Sequence, residues 1–155
     1  MKKKQKAPQQ NSQKLTPYLL YKDVGKALDW FGKAFGFVEI GDRFTGEDGA
    51  VQHAEMEISP KGEVFMLGWP GPKYKNPKKL GNVTALMYVT VDDVDKHFAR
   101  AKKAGAKIFQ KPEDTFYGDR RYGTVDPEGH QWYFAQHLRD VTPEEMKKAL
   151  AKREK

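Results

Sequence analysis

At 155 residues the chain can form one domain or two half-sized modules, and the absence of cysteine excludes disulfides, thiolate nucleophiles and sulfur-ligated metals. The net charge of +7 sits at the ends: Lys2, Lys3, Lys4, Lys6 and Lys14 stand without an acid, and five basic residues oppose three glutamates between 144 and 155. The body is therefore neutral and carries no footprint for nucleic acid. No apolar run approaches the roughly 20 residues that span a bilayer, and the Lys/Gln-rich start lacks the apolar stretch of a secretory signal. A cytoplasmic protein that touches neither membrane nor nucleic acid is expected.

Residues 1–14 have no apolar periodicity and read as a disordered basic leader. An extended run over 15–22 then passes through Asp23, a candidate N-cap, into a helix. Its stripe is Val24, Ala27, Leu28, Phe31, Ala34 and Phe35, and Gly36 is the expected stop. Strands follow over 38–43, 51–58 and 64–69. They are reversed at Glu47-Asp48-Gly49 and at Ser59-Pro60-Lys61-Gly62, where the fixed φ of proline suits a tight turn. Residues 70–81, rich in proline, glycine and lysine, form a linker. A second unit begins with a strand over 83–91 and a helix capped by Asp92 or Asp93, with Val94, Phe98, Ala101 and Ala104 as its stripe and Gly105 as its stop. Strands over 106–109, 121–125 and 131–137 complete it, the last two joined at Asp126-Pro127-Glu128-Gly129. Thr142-Pro143-Glu144-Glu145 announces a C-terminal helix within 141–155.

Asp23 and Asp92 lie 69 residues apart, as do Gly36 and Gly105, so one strand–helix–strands plan is used twice. Modules over 15–69 and 82–138, within one domain spanning 15–140, are expected. Two such units side by side build a cleft of the kind that holds small ligands.

The duplicated plan, together with the run YGDRRYGTVDPEGHQWYF from Tyr117 to Phe134, resembles the vicinal oxygen chelate superfamily of glyoxalases, bleomycin-resistance proteins and extradiol dioxygenases. The resemblance implies an α+β fold of two βαβββ modules whose curled mixed sheets enclose a cup, within one chain or across a homodimer. In the glyoxalase-like members, His and Glu from the first and last strands of each module hold a metal. Counting back from Asp23 and Asp92 carries those slots onto Thr16 and Leu86, and the last strands carry them onto Met66 and Tyr133. None of these four is an imidazole or a carboxylate, so no metal and no cofactor are expected.

Strand alternation divides the remaining side chains between helix face and cup. Ala85, Met87, Val89 and Val91 form an apolar helix face, leaving Leu86 and Tyr88 for the cup. Ala54 and Met56 likewise face a helix, opposite His53, Glu55 and Glu57. The same phase assigns Tyr18, Met66, Tyr122, Thr124 and Tyr133 to the cup, and Trp69 and Trp132 to helix-to-sheet packing. The expected ligand-binding set is Thr16, Tyr18, His53, Glu55, Met66, Leu86, Tyr88, Tyr122 and Tyr133. Large flat apolar surfaces with a few polar groups suit a small organic molecule. The tyrosines could instead simply fill the interior. No catalytic residue is assigned, and whether the chain is an enzyme stays open. The alternative is a metal-dependent lyase or dioxygenase with its ligands relocated around His53 and Glu55, completed by His130 or His137. Asp119, Arg120 and Arg121 read as a turn held by an ion pair, with an arginine gripping an anionic substrate as the sharper alternative.

Overall fold

In the computed structural model, residues 13–60 and 62–153 are described. The assigned leader therefore lies almost wholly outside them. Its last two residues do not: the Gln13 side chain donates to the Val64 carbonyl and accepts from the Val64 amide, both at 2.8 Å, so the assigned disorder does not extend to Gln13.

The elements run β1 (Tyr18–Leu20), α1 (Val24–Ala34), β2 (Val38–Thr45), β3 (Val51–Glu57), β4 (Val64–Gly68), α2 (Pro77–Leu80), β5 (Leu86–Thr90), α3 (Val94–Lys103), β6 (Lys107–Asp114), β7 (Asp119–Val125), β8 (Gln131–His137) and α4 (Pro143–Arg153). They form two compact units, Met1–Asn76 and Pro77–Lys155. Each unit holds one mixed four-stranded sheet, in the orders β1-β4-β3-β2 and β5-β8-β7-β6. The two orders are the same permutation, so the duplication read from spacing is a duplication of topology. First and last strands pair in parallel, β1 with β4 and β5 with β8, and the other pairs are antiparallel.

Both long helices start for the same reason. Asp23 Oδ1 accepts the Lys26 amide at 3.0 Å and Asp93 Oδ1 accepts the Lys96 amide at 2.9 Å, each satisfying an orphan donor of the first turn. The second cap is therefore Asp93 rather than Asp92. Both end before a glycine in the left-handed region, Gly36 at φ 78° and Gly105 at φ 84°, where a side chain would be strained. The apolar stripe of α1 is buried as read: Val24, Ala27, Leu28, Phe31 and Ala34, with Phe35 at the cap. It lies on Ala54 and Met56 of β3 and on Phe65, whose ring meets Phe31 edge-on at 5.4 Å. On α3 only Val94 and Ala101 are buried; Phe98 and His97 rest on the rings of Tyr122 and Phe134 instead. These two apolar layers are the cores, and they leave the opposite face of each sheet open.

Strand limits differ from the sequence reading mainly at edges. β1 keeps three residues of the expected eight: Tyr18–Leu20 stand in ladder register with β4, flanked by single bonds from the Met66 amide to the Pro17 carbonyl and from the Tyr21 amide to the Gly68 carbonyl. β6 runs five residues further than the apolar pattern, since pairing to β7 resumes at Glu113 and Asp114 after a register shift over Lys111-Pro112. The expected linker carries one helical turn, α2, docked by the Lys78 amide donating to the Glu128 carbonyl at 2.9 Å.

Candidate functional site

On the open face of the first sheet, ladder partners bring Tyr18, Met66 and Glu55 into one row, and His53 beside Gly68 and Phe44. Tyr18 Oη lies 3.1 Å from His53 Nδ1, and the two rings meet edge-on at 5.5 Å. Phe44 tilts against the other side of His53 at 5.8 Å. Tyr18 crosses directly over Gly68, where any Cβ would collide with its phenol ring. Tyr18 and Phe44 are 54% and 64% exposed, so these rings are displayed rather than packed. His53 Nε2 stands 3.9 Å from Glu55 Oε1, a loose pair.

The open face of the second sheet carries Leu86 and Tyr88 on β5, Tyr133 and His137 on β8, Asp119 and Arg121 on β7, and Phe109 on β6. Phe109 lies over Gly123 and meets Tyr133 edge-on at 5.4 Å. Leu86, Tyr88 and Phe109 are each 44% exposed. The Arg121 guanidinium sits over the Tyr133 ring at 4.3 Å and over Tyr117 at 5.7 Å. Asp119 is held by two donors: Tyr88 Oη gives its proton to Oδ2 at 2.8 Å, and His137 Nδ1 lies 3.0 Å from Oδ1. Burial first, and then hydrogen bonds to Asp119 and Tyr117, push the Tyr88 phenol far above its usual range, so it acts as a neutral donor. Hydrogen bonds to Asp119 and Asp140 raise the His137 imidazole. The stabilisation from its imidazolium is thus full below the ordinary imidazole range and fades as pH rises through the elevated value.

Of the nine expected site residues, Tyr18, His53, Glu55 and Met66 share the first open face, and Leu86, Tyr88 and Tyr133 share the second. Tyr122 does not belong to it. In the β7–β8 ladder Tyr122 stands opposite Phe134 and Gly123 opposite Tyr133, which turns Tyr122 toward α3. It is fully buried, stacked on Phe134, with its hydroxyl 2.7 Å from His97 Nδ1, and burial raises its phenol well above the usual range. Thr124 shares that side and donates to the Lys107 carbonyl at 2.9 Å. Reversing the phase of β7 is what brings Arg121 and Asp119 onto the open face, where alternation had not placed them. Trp132 packs in the core as expected, but Trp69 is 41% exposed and borders a cleft with Lys22, Asp23, Gly25 and residues 47–52. It falls just past the end of β4, where sheet phase no longer governs it.

The slots carried over for the family metal shift as well. Met66 pairs with Tyr18 and Tyr133 with Tyr88; Thr16 precedes β1 and Leu86 pairs with Gln131, two residues short of the aligned positions. At either register the donors are a thioether, hydroxyls or nothing. These side chains do not fit a divalent ion that wants imidazole and carboxylate ligands. Neither does the relocated set: His53 and Glu55 form no group of three or more ligating residues among those described. His130 Nδ1 faces Asp126 of its own turn at 3.2 Å, and the two ring nitrogens of His137 are directed at different carboxylates. Asp119–Arg121 is not the expected turn but the start of β7, paired to β8 throughout, and its two arginines differ. Arg120 forms the expected ion pairs, with Asp95 at 3.0 Å and Asp114 at 2.8 Å, while Arg121 forms none among the described residues.

Comparison with known proteins agrees with this architecture. An uncharacterized protein of Mycobacterium bovis, Mb0911c, is 39% identical over 143 residues, covering 88% of this chain and 91% of its own. The crystal structure of TioX from Micromonospora sp. ML1 superposes with a TM-score of 0.65 at 35% identity, covering 80% of this chain and 98% of that one. A glyoxalase-related enzyme from Clostridium phytofermentans shares the fold at a TM-score of 0.64 and 15% identity, over 81% of this chain and 95% of its own. Residues 15–134 match the family described as Glyoxalase/Bleomycin resistance protein/Dioxygenase superfamily. With two βαβββ modules of the same strand order and a match running from ahead of β1 into β8, the chain belongs to that superfamily.

Proposed function

We propose that this protein binds a small organic molecule on its open sheet faces and does so without the superfamily's metal. The observation that carries the reading is the display of rings away from the cores: Tyr18 and Phe44 around His53 on one sheet, Tyr88, Phe109 and Tyr133 on the other. Exposed aromatic surface kept in register by underlying glycines is costly to hold in water and profitable only when something covers it. Rings supply contact area, and His53, Glu55 and Asp119 supply a few directional polar groups, the mixture that orients a ligand. Binding alone requires no activated nucleophile, which suits a site whose one strongly shifted tyrosine is held protonated. The proposal extends to a homodimer in the cytoplasm.

Thermal-shift and calorimetric screening against aromatic and glycopeptide compounds tests it. A true ligand at a hundredfold excess over its Kd should stabilise the fold by about 2.7 kcal/mol, a rise of several degrees in Tm. Tyr133→Ala should weaken that binding at least about tenfold. Tyr122→Phe should leave affinity unchanged and cost about 1 kcal/mol of stability through the lost His97 contact. A panel that stabilises nothing would reject the reading. The metal-free part has its own check: exhaustive dialysis against EDTA should leave ligand affinity within twofold, and a loss restored by zinc, nickel or iron would reject it.

A further inference from the structure

We infer that the molecule bound by the second sheet carries an anionic, carboxylate-like group that sits on the edge of Arg121; the inference rests on the binding role proposed above and narrows the ligand class. Arg121 is unlike the other arginines whose partners are known. Arg43 is paired with Glu39 and Asp29, Arg120 with Asp95 and Asp114, and Arg139 with Glu145. Among the described residues the Arg121 guanidinium has no hydrogen-bond or ion-pair partner, and its Nε is buried without one. A guanidinium is always charged, and its five donors favour a planar oxyanion in bidentate contact.

The surroundings explain why no internal carboxylate takes that role. Asp119, two residues away on the same strand and face, spends one oxygen on Tyr88 and the other on His137. Glu113, opposite Arg121 in the β6–β7 ladder, accepts from the Gln110 side chain. The guanidinium carbon lies over the Tyr133 ring at 4.3 Å and over the Tyr117 ring at 5.7 Å, so cation–π contact holds the charge while leaving its donors uncommitted. A charge held in place by two rings, with both nearby carboxylates occupied, is preorganised for an external anion. Leu86, Tyr88 and Phe109 offer apolar surface on the same face for the body of that ligand. The class is therefore an aromatic or apolar acid rather than a cation or a neutral compound.

A matched pair of probes decides it. Isothermal titration of the full chain with naphthalene-2-carboxylate and with naphthalene-2-carboxamide compares one shape with and without the charge. The acid should bind about tenfold more tightly, the scale of a charge-assisted hydrogen bond. In Arg121→Met the preference should collapse to unity, with the amide affinity little changed; Arg121→Lys should retain part of it. Because the side chain makes no hydrogen bond, both variants should melt close to the wild type, and the wild-type ratio decides the matter even if one does not. Equal binding of acid and amide by the wild type would overturn the inference and leave the binding role standing. An acid preference that survives in Arg121→Met would place the anion elsewhere and also overturn it. If neither probe binds and no compound of the wider panel does, the inference falls together with the binding role.

Discussion

Gly118→Ala should destabilise the second unit by about 3 kcal/mol or more and lower Tm by roughly 10 °C. Two independent effects add at this position. The backbone has φ 97°, outside the region that a residue with a Cβ tolerates. An added Cβ would also sit well inside contact distance of the Arg139 carbonyl oxygen, which is backbone and cannot swing aside. That approach is part of the architecture: the Gly118 carbonyl accepts the amides of Leu138 and Arg139 at 2.9 and 3.1 Å, tying the start of β7 to the end of β8. The same tie positions Asp119 beside His137, so the loss of stability should be accompanied by loss of that contact. Gly41→Ala provides the control. Gly41 has φ 70° but nothing within 4 Å of its Cβ position, so it should cost only about 1 kcal/mol. Urea denaturation of both variants separates strain from collision. A Gly118→Ala protein within 1 kcal/mol of Gly41→Ala would show that the chain relaxes around the added methyl.

Asp126→Ala should cost about 3 kcal/mol, although this residue belongs to a turn. Its side chain is fully buried and serves as a common acceptor: Oδ1 takes the amides of Glu128 and His130 at 3.0 and 3.1 Å, and Oδ2 takes the Trp132 indole N–H at 3.2 Å. Truncation deprives three buried or half-buried donors of this acceptor at once, and the penalty for that exceeds the modest net worth of each bond. Asp126→Asn retains one acceptor oxygen and should recover roughly half the loss. The turn also carries α2 through the Glu128 carbonyl, so amide exchange at Lys78 should quicken in the alanine variant. Equal stability of wild type and Asp126→Ala in denaturant would mean that the hydrogen bonds around this carboxylate contribute nothing net.

How legible the molecule was depended on how local each signal is. The stripe of α1 could be read because six apolar residues at helical spacing determine a face without reference to any other segment, and the structure buries all six. The caps were legible for the same reason, although Asp92 and Asp93 are adjacent and only the hydrogen bond to the Lys96 amide selects the second. On β5, a face of Ala85, Met87, Val89 and Val91 sets the phase by itself. On β7 the sequence Arg121-Tyr122-Gly123-Thr124 does not, because tyrosine suits a buried and an exposed position equally. The opposite assignment was available from the neighbouring strand: Phe134 belongs with the core, and the residue facing it must follow. Trp69 shows the converse error, a phase extended one residue beyond the point where its strand stops.

The sequence by itself determined that one module is used twice, that each holds one long helix and four strands, and that thiol and disulfide chemistry are absent; these depend on spacing and composition along a single stretch of chain. Only the tertiary structure decided which rings are displayed and which are buried, that Tyr18 and Tyr88 rather than Thr16 and Leu86 stand beside Met66 and Tyr133, and that Arg121 rests on Tyr133 while Asp119 is taken by Tyr88 and His137. The physical reason is that ladder register is set between strands far apart in the chain, where a shift of one residue sends every side chain to the other face.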